Sequence, residues 1–163
     1  MVNQDFAAAF REICHFDNHL GLHLDIYGPG HIRYQLTVDE RHLSMPDACH
    51  GGVLAAMMDA VLGLTALSQV FPEGKLCQTV EFKINYLAGV SPGTTVEGTG
   101  AIEFAGNRLM VATGHISDQA DDRLIAKGMG TFSLYPLDRK PHLHDLLPAS
   151  YRRLIGLGSQ STP

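Results

Sequence analysis

The sequence predicts an α+β domain in which a curled antiparallel sheet wraps one long central helix. Three observations carry that prediction. Residues 49–70, CHGGVLAAMMDAVLGLTALSQV, run apolar on every side with a single charge, Asp59, and a helix of that kind is what a fully wrapped core requires. Alternating apolar residues flank this helix on both sides and are joined by short turns, the pattern of antiparallel hairpins. At 163 residues the chain is long enough for one domain with its own core and too short for two comfortable ones.

Taken in order, residues 3–14 place Phe6, Ala9, Phe10 and Ile13 at helical spacing, so an amphipathic N-terminal helix is expected, with Gly21 beyond its end. A hairpin follows around Gly-Pro-Gly, with Leu22, Leu24 and Ile26 before the turn and Ile32, Tyr34, Leu36 and Val38 after it. After the central helix, FPEGK breaks the pattern. Residues 76–87 then read as a strand with Val80, Phe82, Ile84 and Tyr86 on one face. Turns at SPGT and at Gly106–Asn107 separate three further strands, TVEGTGAIEFA, RLMVATGHISD and DRLIAKGMGTFSLYP. Residues 1–136 thus form a single domain, and residues 137–163 a surface tail with one helical turn near residues 151–154.

Composition excludes several classes. With 45% hydrophobic and 18% charged residues the chain is globular rather than disordered. A net charge of −5 without any Lys/Arg run argues against a nucleic-acid partner. Cys14, Cys49 and Cys77 are an odd set with no CxxC spacing, which points to a reduced, cytoplasmic protein. Asp5, Arg11 and Glu12 interrupt the N-terminal apolar residues, so no secretory signal is expected there. Residues 53–70 have the length of a membrane span, but a mid-span Asp59, the weakly hydrophobic Gly63, Thr65, Ser68 and Gln69, and the lack of flanking basic clusters favour a wrapped core helix.

The chemistry centres on Asp59. An ionised carboxylate in an apolar helix needs partners, a raised pKa or a wet cleft, and each of these makes a functional acid. Gly51 and Gly52 open the same helix, where bare backbone and unsatisfied first-turn N–H groups suit a developing negative charge. His50 and Asp59 are nine residues apart. On a helix that puts them on opposite faces and about 13 Å apart, so a shared site needs two copies of the helix, as a two-fold dimer supplies.

HGG followed after six intervening residues by Asp59, then TVEFKINYLAGVSPGT and a closing IAKGMGTFSL, resembles the hotdog-fold acyl-CoA thioesterases of the PaaI (phenylacetate pathway) type over roughly residues 20–135. The resemblance implies a hotdog fold and a dimer joined sheet edge to sheet edge with central helices packed together, with a homotetramer left open. It implies acyl-CoA as substrate, hydrolysed to free acid and CoA at the subunit interface without metal or cofactor. By motif position Asp59 matches the nucleophile or general base, and Gly51 the backbone N–H that polarises the thioester carbonyl. Thr79 matches a hydroxyl that orients the water or the carboxylate, and is equally a good strand residue. His50 either fixes the loop or bonds a group near the carbonyl. Gly52, Ser44, Met58 and Leu62 complete the expected substrate contacts, with Met57 and Phe82 facing either core or pocket.

One departure stands out: Ser44 takes the position where many family members carry an amide, with Asp47 nearby. It motivates an alternative reading, a non-catalytic acyl-CoA-binding or ligand-sensing hotdog domain. A hydratase is disfavoured because the expected His and acid arrangement is missing. His15, His19 and His23 repeat every four residues, but Gly21 breaks any helix joining them, so they read as surface histidines rather than metal ligands. His142 and His144 lie in the tail without acidic or cysteine company, and no G-x-S-x-G elbow is present.

Overall fold

The structure, a computed structural model, describes residues 2–139, 141–142 and 146–154, with side chains from residue 5 onward. His144 and the tail beyond residue 154 lie outside the described residues. Two helices, α1 (Val2–Ile13) and α2 (His15–Leu20), precede the hairpin β1 (His23–Gly28) and β2 (His31–Thr37). A small second hairpin, β3 (Leu43–Met45) and β4 (Ala48–Cys49), leads into the central helix α3 (Gly51–Val70). Four long strands follow: β5 (Lys75–Tyr86), β6 (Thr95–Ala105), β7 (Leu109–Asp118) and β8 (Leu124–Pro136), then α4 (Ala149–Leu154).

Six strands form one sheet in the order β1-β2-β6-β7-β8-β5, each pair antiparallel, leaving β1 and β5 at the edges. The sheet wraps α3. Met57, Met58, Val61 and Leu62 on the helix are fully buried, as are Val96, Ala112, Ile116 and Phe132 on the strands. Burial of each large side chain contributes about 1.5–3 kcal/mol, which explains why this helix lacks a polar face. Its buried hydroxyls are satisfied locally: Thr65 donates to Val61 O at 2.7 Å and Ser68 to Thr65 O at 3.1 Å. Ser68 also accepts from Gly30 N–H at 3.1 Å, tying the hairpin turn to the helix.

Close approach of helix and sheet depends on missing side chains. A Cβ on Gly98 would lie 2.6 Å from Val61 Cγ2, and one on Gly128 2.7 Å from Met58 Cγ, closer than real contacts allow.

The first hairpin matches its sequence pattern: all seven alternating apolar residues from Leu22 to Val38 are buried. Two expectations need correction. Strand β5 keeps Phe82, Ile84 and Tyr86 on one face but not Val80, because the register slips between Thr79 and Glu81. Val80 is the extra residue of a bulge and is 59% exposed, and Tyr86 at the strand end is also exposed. Nor is the tail wholly at the surface. The helical turn near residue 151 is present as α4, but Tyr151 is buried edge-on against Phe6 and Phe71, whose rings stack at 4.1 Å. An apolar ring outweighs the solvated character of the residues around it.

Candidate active site

The helix α3 begins as an exposed donor array. His50 is its N-cap, in extended conformation, and its Nδ1 accepts from Gly52 N–H at 2.8 Å. The loop beneath is held by His50 N–H donating to His42 O at 2.7 Å and Cys49 N–H donating to Val90 O at 2.8 Å. His42 is buried; its Nδ1 accepts from Asp39 N–H at 3.0 Å, which assigns the proton to Nε2, 2.9 Å from Leu20 O. Gly51 N–H finds no acceptor among the described residues, as expected for a first-turn donor. The Tyr86 hydroxyl donates to Gly51 O at 3.0 Å, so the start of α3 is pinned from the far end of β5.

The two glycines differ. A Cβ on Gly52 would sit 2.8 Å from His50 Nδ1, displacing the cap. A Cβ on Gly51 would meet only the Tyr86 ring at 3.5 Å, an ordinary contact. Among the described residues nothing requires the glycine at 51.

Midway along α3, half-buried Asp59 accepts from Thr79 Oγ1 at 3.0 Å. The β5 bulge makes this contact possible: Thr79 pairs with buried Phe132 on the inner face, and after the extra Val80, Phe82 returns to the same face opposite Gly130. Asp59 and Thr79 border a cleft of about 440 Å³ between α3 and the N-terminal helices. Ala56, Ala60 and Gly63 form its helix side, with Phe10, Phe16 and Phe132 on other walls. Glycine in a helix interior costs about 1 kcal/mol relative to alanine. A Cβ on Gly63 would meet only Phe132 Cε1, at 3.7 Å, so packing does not demand the glycine. Cys77 faces the same cleft and its Sγ donates to Gly63 O at 3.6 Å. Burial, with a smaller contribution from the Asp59 charge, pushes its thiol up to about 12. It is therefore no nucleophile at neutral pH.

The structure brings Asp59 and Thr79 together and places His50, Gly51 and Gly52 at the helix start. It does not bring the two groups together: Gly51 is eight residues and about 12 Å from Asp59 and does not line its cleft. Met58 and Leu62, expected as substrate contacts, are fully buried under Gly128 and Gly114 and lie outside the cleft, on the helix face turned to the sheet. Met57 is likewise core, and Phe82 is half-buried against it. Ser44 is exposed on β3 and bonded only at long range, 3.5 Å, to Ala48 O; Asp47 is exposed in the adjoining turn. His15, His19 and His23 are exposed.

A curled six-stranded antiparallel sheet around one helix, with an acid on that helix and a free N–H at its start, is the hotdog architecture of thioester hydrolases. The chain belongs to the thioesterase superfamily, whose family model matches residues 47–125, and is an enzyme of the hydrolase class. It is 30% identical over 115 residues to the Mycobacterium tuberculosis protein Rv1847, which carries an esterase name, covering 69% of this chain and 81% of that one. The fold matches the PaaI protein from the phenylacetic acid degradation operon of E. coli with a TM-score of 0.73 at 21% identity, over 82% of this chain and 95% of that one. It also matches a Streptococcus pneumoniae thioesterase protein solved with coenzyme A, with a TM-score of 0.68 at 23% identity over 77% and 96% of the two chains.

Proposed function

We propose that the chain hydrolyses acyl-CoA thioesters in a site shared between two copies, with Asp59 of one copy and the Gly51 N–H of the other acting on the same carbonyl. The hydrogen bond from Thr79 to Asp59, both bordering the apolar cleft, carries this reading. Thr79 Oγ1 occupies one carboxylate oxygen and leaves the other for the reaction. Asp59 then either attacks the carbonyl carbon itself, giving an acyl-enzyme anhydride that water cleaves, or takes the proton of an attacking water. In both routes the carbonyl oxygen gains charge, which an oriented backbone N–H stabilises, and the C–S bond breaks as CoA leaves as its thiol. A thioester is already activated, so the scheme needs no metal.

The helix geometry requires the second copy, since Gly51 and Asp59 of one helix are about 12 Å apart. The unpaired edge of β5 lies beside Asp59, and Val53, Ala56 and Ala60 leave the adjoining face of α3 half-exposed. Coenzyme A as leaving group draws support from the Streptococcus pneumoniae fold relative solved with it. The test is thiol release over a panel of acyl-CoAs alongside light scattering. Saturable turnover by a dimer or larger assembly is expected; binding without turnover refutes hydrolysis, and a fully active monomer refutes the shared site.

A further inference from the structure

The cleft beside Asp59 has a direction. Thr79 meets Asp59 at one point and Cys77 meets Gly63 one turn further on, so the cleft follows α3 from Asp59 towards Leu67, about 12 Å by helical rise. Its outer wall is Phe10 of α1, Phe16 of α2 and Cys14 between them, all outside the 47–125 span matched to the superfamily. Both helices that carry this wall are tied to the rest of the fold. Phe6 stacks on Phe71 at the end of α3, Tyr34 donates to Asp17 at 2.7 Å, and His42 Nε2 bonds Leu20 O at 2.9 Å. Phe16 borders the cleft with 60% of its surface exposed, where no core contact accounts for a large apolar ring.

We propose that this cleft is the acyl subsite and that Phe16 closes it, making the substrate class thioesters of medium-length aliphatic acids. The proposal rests on the hydrolase reading above for the thioester, and on the cleft alone for the length. A zigzag chain advances somewhat less than its ~1.5 Å bond length per carbon, so about 12 Å holds roughly eight to ten carbons.

The test measures binding of non-hydrolysable thioether analogues of acyl-CoA, from acetyl to palmitoyl, to the wild type, Phe16→Ala and Gly63→Leu. Phe16→Ala removes the wall from an exposed position, and Gly63→Leu fills the floor where a Cβ has room. In the wild type, affinity is expected to rise about fourfold per added methylene and to level off near decanoyl. Phe16→Ala moves that plateau to longer chains. Gly63→Leu moves it to shorter ones. A plateau at the same length in the wild type and Phe16→Ala overturns the proposal, as does no gain from acetyl to octanoyl. Turnover of the matching thioesters is read in parallel: a plateau that shifts without turnover keeps the subsite and refutes the hydrolase reading, whereas turnover with an unshifted plateau does the reverse.

Discussion

Thr79 reaches Asp59, 3.0 Å from Oγ1 to Oδ1, because β5 carries one residue more than the strand it pairs with. In a regular strand with Val80 and Phe82 facing inward, Thr79 would face outward. The bulge reverses that parity, as bulges near functional sites re-aim side chains. A hydrogen bond to a charged group is worth about 1.5–3 kcal/mol, so Thr79→Val should lower kcat by roughly 10- to 100-fold while Thr79→Ser keeps most of it. Steady-state kinetics of the two variants check this.

Gly51 and Gly52 should separate function from folding. Gly51→Ala adds a Cβ at ordinary contact distance from Tyr86. Its stability should stay within about 0.5 kcal/mol of wild type, while activity falls at least about tenfold because the approach to the N–H is obstructed. Gly52→Ala pushes His50 off its cap and should cost about 0.5–2 kcal/mol in urea unfolding. Equal stability losses in the two would contradict the assignment.

Cys77 links stability to alkaline pH. Its thiol is held up at about 12 in the fold against 9.0 unperturbed, first by burial and then by Asp59. The native chain therefore keeps its proton where the unfolded chain has lost it. Stability contributed by the buried neutral thiol is present below pH 9 and is lost as pH rises from about 9 towards 12. Between pH 8 and 10.5 the wild type should lose up to about 2 kcal/mol more than Cys77→Ala, since Cys14 and the tyrosines are common to both. Parallel losses would contradict the buried neutral thiol.

The fold was legible because its signals are periodic. Leu24, Ile26, Ile32 and Tyr34 alternate and are buried, and the run from Leu54 to Val70 has no polar face and sits inside the sheet. The acid was legible as the single charge in that run. Register within β5 was not: Val80 has the composition of an inner strand residue, and a bulge adds a residue without marking it. For the same reason Thr79 was reached through resemblance to a family motif rather than through alternation. Met58 and Leu62 failed as substrate contacts because a helix apolar on all sides does not reveal which side meets the sheet. The partners of Gly51 and of the preceding loop, Tyr86 and His42, lie 35 residues and eight residues away from the groups they hold, with no local pattern joining them.

In the proposed reaction Asp59 carries the chemistry. Thiol release from acyl-CoA by the wild type and by Asp59→Asn, each checked for folding and assembly, tests it most directly. Turnover by the wild type and a fall of at least about 100-fold in the amide variant is the predicted result. Full activity in Asp59→Asn would contradict it.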